Sequence, residues 1–285
     1  MMKLHLPTAD VFVPDAMALP AALARTTHLG IGAHQDDLEI MAFHGIVSCY
    51  GVPDKWFAGV TCTNGAGSPR TGVYADCTDE AMQAIRRREQ RDAAEVGRYG
   101  AMLQLDHPSS TVKDPSKLAL VDDLVAILEI AQPDVVYTHN PADKHDTHVG
   151  VTAATIRALR RLPAAKRPDR VYGCEVWRSL DWMPDNAKVA LDVSARESLA
   201  NALTGLFDSQ VTGGKRYDLA SLGRRRANAT YAESHGVDQA EQLSFAMDLT
   251  PLIRDDALDV VEYVAGFVKA FENDVRKRIA SRWQK

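Results

Sequence analysis

The stretch Thr27-His28-Leu29-Gly30-Ile31-Gly32-Ala33 passes directly into His34-Gln35-Asp36-Asp37-Leu38-Glu39, a change from apolar to polar residues around which the rest of the chain is organised. The apolar run predicts a buried strand. One imidazole and two adjacent carboxylates then follow at its carboxyl end, which is where open parallel sheets usually bind ligands. Ionised carboxylates beside a core strand cost free energy unless something positive compensates them. A divalent metal would do so, and His with Asp is a usual pair of zinc ligands.

Length and composition predict an ordinary soluble globular protein. The chain has 285 residues, of which 46% are hydrophobic and 25% charged. Its net charge of −5 gives no reason to expect nucleic acid or an acidic membrane as a partner. Residues 1–7 lack the apolar core of a signal peptide, and no uncharged run is long enough to cross a bilayer, so we expect a cytoplasmic protein. The four cysteines show no Cys-x-x-Cys spacing, which favours buried free thiols.

Strands and helices are predicted to alternate through the first two thirds of the chain. The predicted strands are 27–33, 56–62, 101–105, 134–139 and 171–177, and the predicted helices are 39–50, 78–99, 116–131 and 149–162. This alternation is typical of an α/β fold with a mostly parallel sheet and helices on both faces. Later elements are expected at 188–193 (strand), 195–207, 215–232 and 252–280 (helices). We interpret the chain as one domain with a lead-in (1–27), a metal-binding core (28–178) and a C-terminal extension (179–285) that wraps the core and walls the site.

A second group of polar residues follows the predicted strand 134–139. His145 and His148 lie three residues apart at the start of a helix and can face the same side of it. Both polar groups should open on the same edge of the sheet. His34, Asp37 and His148 would then form a three-ligand site with an open position for water, as expected of a catalytic zinc.

The neighbours of these ligands suggest the rest of the chemistry. Asp36, next to Asp37 but pointing elsewhere, could take a proton from a water molecule. His145 could stabilise charge on a tetrahedral intermediate or protonate a leaving group.

Residues 33–39 resemble the Ala-His-Pro-Asp-Asp-x-Glu signature of the PIG-L/LmbE-like N-acetylglucosaminyl deacetylase family. Residues 145–148 (His-Asp-Thr-His) resemble its second signature, His-Pro-Asp-His. Thr63-Asn64-Gly65 is similar to the family's Thr-x-Gly-Glu loop, and Arg86-x-x-Glu89 to its Arg-x-x-Glu helix. The resemblance covers about residues 28–160. Two motifs in this order and strand context are specific for the family but say little about the substrate.

The resemblance implies a Rossmann-like α/β fold, zinc bound by His34, Asp37 and His148, and Asp36 as the general base. It also implies that His145 acts as an electrophile or acid and that Arg86 holds a substrate sugar. The chain departs from the family in two places. Gln35 replaces a proline where the chain need only turn.

The second departure concerns the carboxylate of the second motif, which stands one place earlier than in the family. That carboxylate normally orients the catalytic histidine. Either Asp146 or Asp143 could take this role for His145, and the sequence leaves the choice open.

Simpler explanations exist for most of these residues. The acidic pair could be a helix N-cap, and His145 and His148 could be exposed loop residues. Arg86 sits in a run of arginines, and such runs are usually solvated. Three other histidines have different explanations: His139 is better explained as a supporting or core residue, His44 as a satisfied core residue, and His235 as a residue that could line the pocket.

Together these features predict a metal-dependent hydrolase that removes an N-acyl group, most simply acetyl, from an amino sugar or related small amide. The alternatives are hydrolysis of another bond, such as a thiol-conjugate amide or an ester, and a non-catalytic sugar- or metal-binding protein with a decayed site. Zinc is the expected metal, but His₂Asp ligation also suits Fe²⁺ and Mn²⁺. The expected partner is a small molecule, with neither nucleic acid nor membrane, and the sequence leaves a homo-oligomer open.

Overall fold

The computed structural model describes residues 2–283. Within them, eight strands form a single sheet in the order β1-β4-β3-β2-β5-β6-β8-β7. The strands are β1 (Asp10–Phe12), β2 (His28–Gly32), β3 (Phe57–Thr63), β4 (Ala101–His107), β5 (Val135–His139), β6 (Arg170–Cys174), β7 (Lys188–Asp192) and β8 (Leu243–Asp248). Strands β4, β3, β2, β5 and β6 are mutually parallel, whereas β1 pairs antiparallel at one edge and β8 and β7 pair antiparallel at the other. The predicted mostly parallel sheet is confirmed.

Helices cover both faces of this sheet. They are α1 (Leu19–Ala24), α2 (Asp37–Met41), α3 (Phe43–Cys49), α4 (Asp79–Val96), α5 (Ser109–Lys113), α6 (Ala119–Ala131), α7 (Asp146–Arg161), α8 (Glu197–Gly205), α9 (Asp208–Val211), α10 (Tyr217–Thr230), α11 (Thr250–Arg254) and α12 (Val260–Ala280). One buried cluster joins the sheet to α1, α6, α7 and α11, and a second joins it to α2, α3, α4 and α8. The fold is therefore the expected three-layer, Rossmann-like α/β arrangement. None of the helices within residues 2–283 is long and apolar enough to span a bilayer.

Strand β2 occupies the middle of the parallel sheet because both of its faces can be buried. Leu29 and Ile31 are fully buried on one face. On the other face, a Cβ at Gly30 would lie 2.8 Å from the Phe57 ring and 2.9 Å from the Leu38 side chain. The absence of a side chain at this position lets α2 pack directly on the strand, which brings the acidic residues of α2 onto the sheet edge.

The C-terminal third wraps the core, as expected. Strands β7 and β8 extend the sheet, and α9 and α10 lie over the α4 side of the molecule. Two buried contacts attach this segment. The Ser209 amide and hydroxyl donate hydrogen bonds to Glu89 at 2.7 and 2.6 Å, and Arg225 donates to the carbonyl oxygens of Glu39 and Ile40 at 2.9 and 3.0 Å.

Several predicted elements were wrong in detail. The predicted lead-in 1–27 contains β1 and α1, and β8 was not predicted. The single helix predicted at 39–50 is two helices separated at Ala42, and α3 then packs Gly45 so closely on Tyr137 that a Cβ would lie 2.6 Å from the ring. The helix predicted at 252–280 is likewise divided into α11 and α12.

Candidate metal centre

The end of β2 carries the first part of the site. His34 follows the strand, and its backbone N–H donates a 2.6 Å hydrogen bond to Asp37 Oδ2. Asp36 has a φ of +95°, a left-handed conformation that is uncommon for a residue with a side chain. Such backbone strain is concentrated at functional sites because the surrounding structure must maintain it. The turn sends Asp36 and Asp37 in different directions, as their separate contacts show.

The beginning of α7 carries the second part. His145 occupies the N-cap position and accepts a 2.9 Å hydrogen bond from the His148 backbone N–H through its carbonyl oxygen. Since β2 and β5 are adjacent and parallel, the loops after both strands open on the same sheet edge. The structure thus brings together residues separated by more than one hundred positions.

Three predicted ligands converge at this edge. His34 Nδ1 lies 3.2 Å from His148 Nε2 and 3.3 Å from Asp37 Oδ2, and Asp37 Oδ1 lies 3.5 Å from His148 Nε2. Ligand atoms at about 2.0–2.2 Å from a tetrahedral zinc lie about 3.3–3.6 Å from one another. The two imidazole nitrogens and the carboxylate therefore fit a divalent metal in both chemistry and spacing.

Burial and proximity give these ligands suitable protonation states. Burial lowers the pKa of His34 to about 4, so its imidazole is neutral near pH 7 and has a free lone pair. Burial alone would raise the pKa of Asp37, but the imidazoles of His148 and His139 hold it well below its usual value. Neutral imidazoles and an ionised carboxylate are the forms that bind metals.

Asp143 supports His148 from the opposite side of the ring. Its Oδ2 lies 3.1 Å from His148 Nδ1, and the same oxygen accepts a 3.3 Å hydrogen bond from the Trp177 backbone N–H. Asp146, by contrast, is exposed. The sequence left open which of the two aspartates orients His145. In the structure, Asp143 instead contacts His148. This contact favours the tautomer with the proton on Nδ1, which leaves Nε2 free for a metal.

His139 lies beside this group and is fully buried. Its Nε2 accepts a 2.9 Å hydrogen bond from the Ala33 backbone N–H, and its ring stacks on His148 with centroids 3.8 Å apart. Its Nε2 also lies 3.3 Å from Asp37, within a group of three potential ligands that includes His148. Because the Ala33 amide already uses the Nε2 lone pair, His139 supports the site, in agreement with its interpretation as a supporting or core residue.

Asp36 lies away from the ligand group, against Arg86. The whole residue is 5% exposed, and its carboxylate Oδ2 lies 3.4 Å from Arg86 Nη2. Burial raises the pKa of Asp36 well above its usual value, while the Arg86 guanidinium opposes this shift. The Asp36 backbone N–H donates a 3.3 Å hydrogen bond to Gln90, whose amide donates to Glu39 at 2.9 Å. Asp36 is therefore both basic and firmly held.

Arg86 itself is buried at the edge of the site. Besides Asp36, it donates hydrogen bonds to the Gln35 carbonyl oxygen and to the Ser68 hydroxyl. These contacts orient the guanidinium toward the Asp36 carboxylate. They were not anticipated from the sequence, where Arg86 was expected to hold a substrate sugar.

His145 closes the group from the α7 side. Its ring centroid lies 5.0 Å from that of His34 and 4.5 Å from that of His148. Its Nδ1 is buried and has no hydrogen-bond partner within residues 2–283. Burial, with the nearby His148, lowers the pKa of His145, so the ring is neutral near pH 7 and retains one N–H to donate.

The family comparison agrees with these contacts. The sequence model described as PIG-L, GlcNAc-PI de-N-acetylase, matches residues 29–159. This match covers slightly less than half of the chain, and it shows that residues 29–159 are similar to the PIG-L family. The match spans β2 to α7 and includes every predicted site residue. No curated protein matches the chain.

Solved structures share the fold of this chain at low identity. N,N'-diacetylchitobiose deacetylase from Pyrococcus horikoshii is 18% identical, with 78% of this chain and 83% of that chain covered and a TM-score of 0.57. A zinc-inhibited form of teicoplanin deacetylase Orf2 is 15% identical, with 78% and 97% covered and a TM-score of 0.56. GalB, the 4-carboxy-2-hydroxymuconate hydratase from Pseudomonas putida KT2440, is 16% identical, with 79% and 95% covered and a TM-score of 0.55. Since deacetylases and a hydratase share it, the fold alone does not specify the reaction.

The site opens into a cleft of about 470 Å³, which we call the metal cleft. The PIG-L domain supplies its floor, and residues after the domain supply one wall: Trp177, Gln210, Lys215 and Tyr217. Lys215 Nζ lies 5.1 Å from the Trp177 ring centroid. These wall residues could not be named from the sequence because no motif marks them, although a C-terminal wall was expected.

The other predicted residues lie outside the ligand group. His44 is half-buried, and its Nδ1 lies 2.8 Å from the Tyr137 hydroxyl, so its ring has a hydrogen-bond partner away from the metal cleft. His235 is exposed and does not line the metal cleft. All four cysteines are free, and Cys49, Cys62 and Cys174 are buried.

Proposed function

We propose that this protein is a metal-dependent hydrolase that removes an N-acyl group, most simply acetyl, from an amino sugar or related small amide. The observation that carries the proposal is the convergence of His34 Nδ1, Asp37 and His148 Nε2 at 3.2–3.5 Å, beside a separate buried carboxylate, Asp36. The PIG-L match and the deacetylases among the structural neighbours support it.

The three convergent side chains would hold the metal, with zinc as the first candidate and Fe²⁺ or Mn²⁺ as alternatives. When bound, such a cation supplies polarisation of an acyl oxygen and a lowered pKa for a water molecule. Asp143 would keep His148 in the ligating tautomer through its contact with Nδ1.

Proton transfer falls to Asp36. As a general base it must accept a proton from water, and a carboxylate with a raised pKa holds that proton more strongly. Its backbone N–H is held by Gln90, and its carboxylate lies 3.4 Å from the Arg86 guanidinium, which orients it. The same carboxyl group, once protonated, can return the proton to the departing amine.

His145 stabilises the negative charge that develops on the acyl oxygen. Its neutral ring retains one N–H, and it lines the metal cleft beside His34. His145 can also protonate the leaving amine. Arg86 lines the same cleft, so we propose that it orients Asp36 and also contacts the substrate.

We also propose that residues 28–178 and the extension 179–285 act as one functional unit, with residues 1–27 attached to the core. The extension lines the metal cleft through Gln210, Lys215 and Tyr217. A core without it would lack one wall of the substrate site.

The test combines metal analysis with acetate release. Asp36→Asn should lose turnover while retaining metal, and His148→Ala should lose the metal itself. Asp92→Asn and His235→Ala are matched controls, because both residues are exposed and lie outside the metal cleft. Near-wild-type activity of Asp36→Asn, or full metal content of His148→Ala, would contradict the assigned roles.

A substrate panel separates the alternatives. N-acetylglucosaminides, mercapturate-like amides and aryl esters should be compared on the metal-loaded protein. Turnover of only the second or third class would indicate hydrolysis of another bond on the same scaffold. Metal or sugar binding without release of acid from any class would indicate a binding protein instead.

A further inference from the structure

A second pocket of about 260 Å³ adjoins the metal cleft. The two share four lining residues, which therefore form the boundary between them: Ile40, Val176, Trp177 and Tyr217. We call this second space the side pocket. A molecule held at the metal centre could reach it by passing the Trp177 and Tyr217 rings, which lie edge to face with centroids 6.1 Å apart.

The side pocket is positively charged although the chain as a whole is acidic. Its lining contains three cations, Lys144, Arg224 and Arg225, and one anion, Glu175. The net charge of the whole sequence is −5. Clefts lined mainly by one sign of charge focus the local potential and attract ligands of the opposite sign.

Glu175 is already occupied by hydrogen-bond donors of the protein. It accepts hydrogen bonds from the backbone N–H groups of Leu180 and Phe245 at 3.0 and 3.1 Å, and from the Asn228 side chain at 2.6 Å. It is 5% exposed. Glu175 therefore serves the packing of β8 and α10, and its charge also acts on Arg225.

Arg225 is the most informative of the three cations. It is 4% exposed, and the hydrogen bonds found for it run from Nη2 to the carbonyl oxygens of Glu39 and Ile40. The carboxylate that acts on it electrostatically is Glu175, which is itself occupied by three N–H donors. Because the hydrogen bonds found for the buried guanidinium go to neutral carbonyl oxygens, an anion arriving from outside would add a favourable charged contact.

The other two cations extend this positive surface toward solvent. Arg224 donates a hydrogen bond to the Val176 carbonyl oxygen, and Lys144 is exposed. Arg224 also acts electrostatically on Glu175, where it opposes the rise in pKa that burial causes. Guanidinium groups bind carboxylates and phosphates through paired N–H donors, whereas an ammonium adds a point charge.

We propose that the side pocket binds a carboxylate or phosphate group of the substrate, placed there while the acetamido group lies at the metal centre. The substrate class is thus an acetamido compound that carries an anionic substituent, with its ring against Trp177 and Tyr217. This inference rests on the proposed function for the identity of the reacting group, but the anion site itself is a separate feature of the chain.

The test compares charged and neutral forms of the same substrate. The carboxylate pair is 4-carboxyphenyl N-acetyl-β-glucosaminide and its methyl ester; the phosphate pair is N-acetylglucosamine 1-phosphate and methyl N-acetylglucosaminide. For the wild-type protein we expect kcat/KM for the charged member of at least one pair to exceed that of the neutral member by about tenfold or more, through KM. The pair that shows the larger ratio identifies the anion.

Arg224→Gln and Lys144→Gln should each reduce this ratio toward one. Lys269→Gln is the matched control, because it removes the same charge from the exposed surface of α12, outside both pockets, and should leave the ratio and the activity unchanged. A ratio near one in the wild-type protein, or a ratio that Arg224→Gln and Lys144→Gln leave intact, would overturn the side-pocket proposal.

A binding measurement separates failure of this inference from failure of the proposed function. Calorimetry with the Asp36→Asn protein and the same four compounds reports affinity without turnover. Tighter binding of a charged compound, with no acetate released by the wild-type protein, would overturn the deacetylase proposal and support the anion site. Release of acetate at equal rates from charged and neutral compounds would support the deacetylase proposal and overturn the anion site.

Discussion

Replacing Asp143 by Asn should weaken metal binding although Asp143 is not itself a ligand. Its carboxylate accepts three N–H groups: Oδ1 from the Lys144 backbone, and Oδ2 from the Trp177 backbone and from His148 Nδ1. An amide has only one oxygen, so one of its two ends must present an N–H to a donor. If the amide nitrogen faces His148, the favoured imidazole tautomer places its proton on Nε2, the atom that points at the metal site.

The expected size follows from the contact that is lost. A hydrogen bond to a charged group contributes about 1.5–3 kcal/mol. Partners that orient a metal ligand typically change metal affinity about 10–100-fold when they are mutated. The two figures agree, because about 1.4 kcal/mol corresponds to a factor of ten. We therefore expect the zinc Kd of Asp143→Asn to rise by about 10–100-fold.

The assay is competition for Zn²⁺ against a chromophoric chelator of known affinity. Asp146→Asn is the matched control, because it makes the same change at an exposed position three residues along the chain, which the sequence could not distinguish from Asp143. Its Kd should stay within about twofold of the wild type. Wild-type affinity in Asp143→Asn, or an equal loss in both variants, would refute the assignment of Asp143 to His148.

Three further outcomes are expected. Arg86→Gln should move the acidic limb of the kcat/KM profile to higher pH, because the guanidinium opposes the burial that raises the pKa of Asp36, and the base must be ionised to act; an unmoved limb would contradict this. Gln90→Leu should lower kcat about tenfold with little change in KM, because Asp36 loses the group that holds its backbone N–H; an equal rise in KM would indicate a substrate contact instead. Thr78→Ala should reduce the free energy of unfolding by about 1 kcal/mol in urea titrations, because it removes the N-cap of α4, and metal affinity should not change.

The sequence predicted the parallel part of the fold well because its elements carry strong local patterns. Strands β2, β3 and β5 are short apolar runs that end in polar residues, and α4 begins at a recognisable cap, Thr78. The failures lie where local pattern is weak. Strand β1 has three residues and is stabilised by pairing with β4, so only the tertiary pairing reveals it.

The ligand group was predictable for a different reason. His34, Asp37 and His148 belong to two motifs, and the rule that parallel strands open on one edge was enough to bring the motifs together. The partners of these residues were not predictable. Asp143 and Asp146 are both plausible from spacing, and only the direction in which α7 begins decides between them.

Short motifs and hydrophobic periodicity were therefore enough to indicate the family resemblance, the layered sheet and the candidate metal-binding side chains from the amino-acid sequence. The tertiary structure was needed to show which side chains contact these candidate ligands and which residues after position 159 line the metal cleft. It was also needed to show that three cations line the side pocket beside the cleft. These features depend on distances between atoms of remote segments, and such distances leave no periodic or motif signal along the chain.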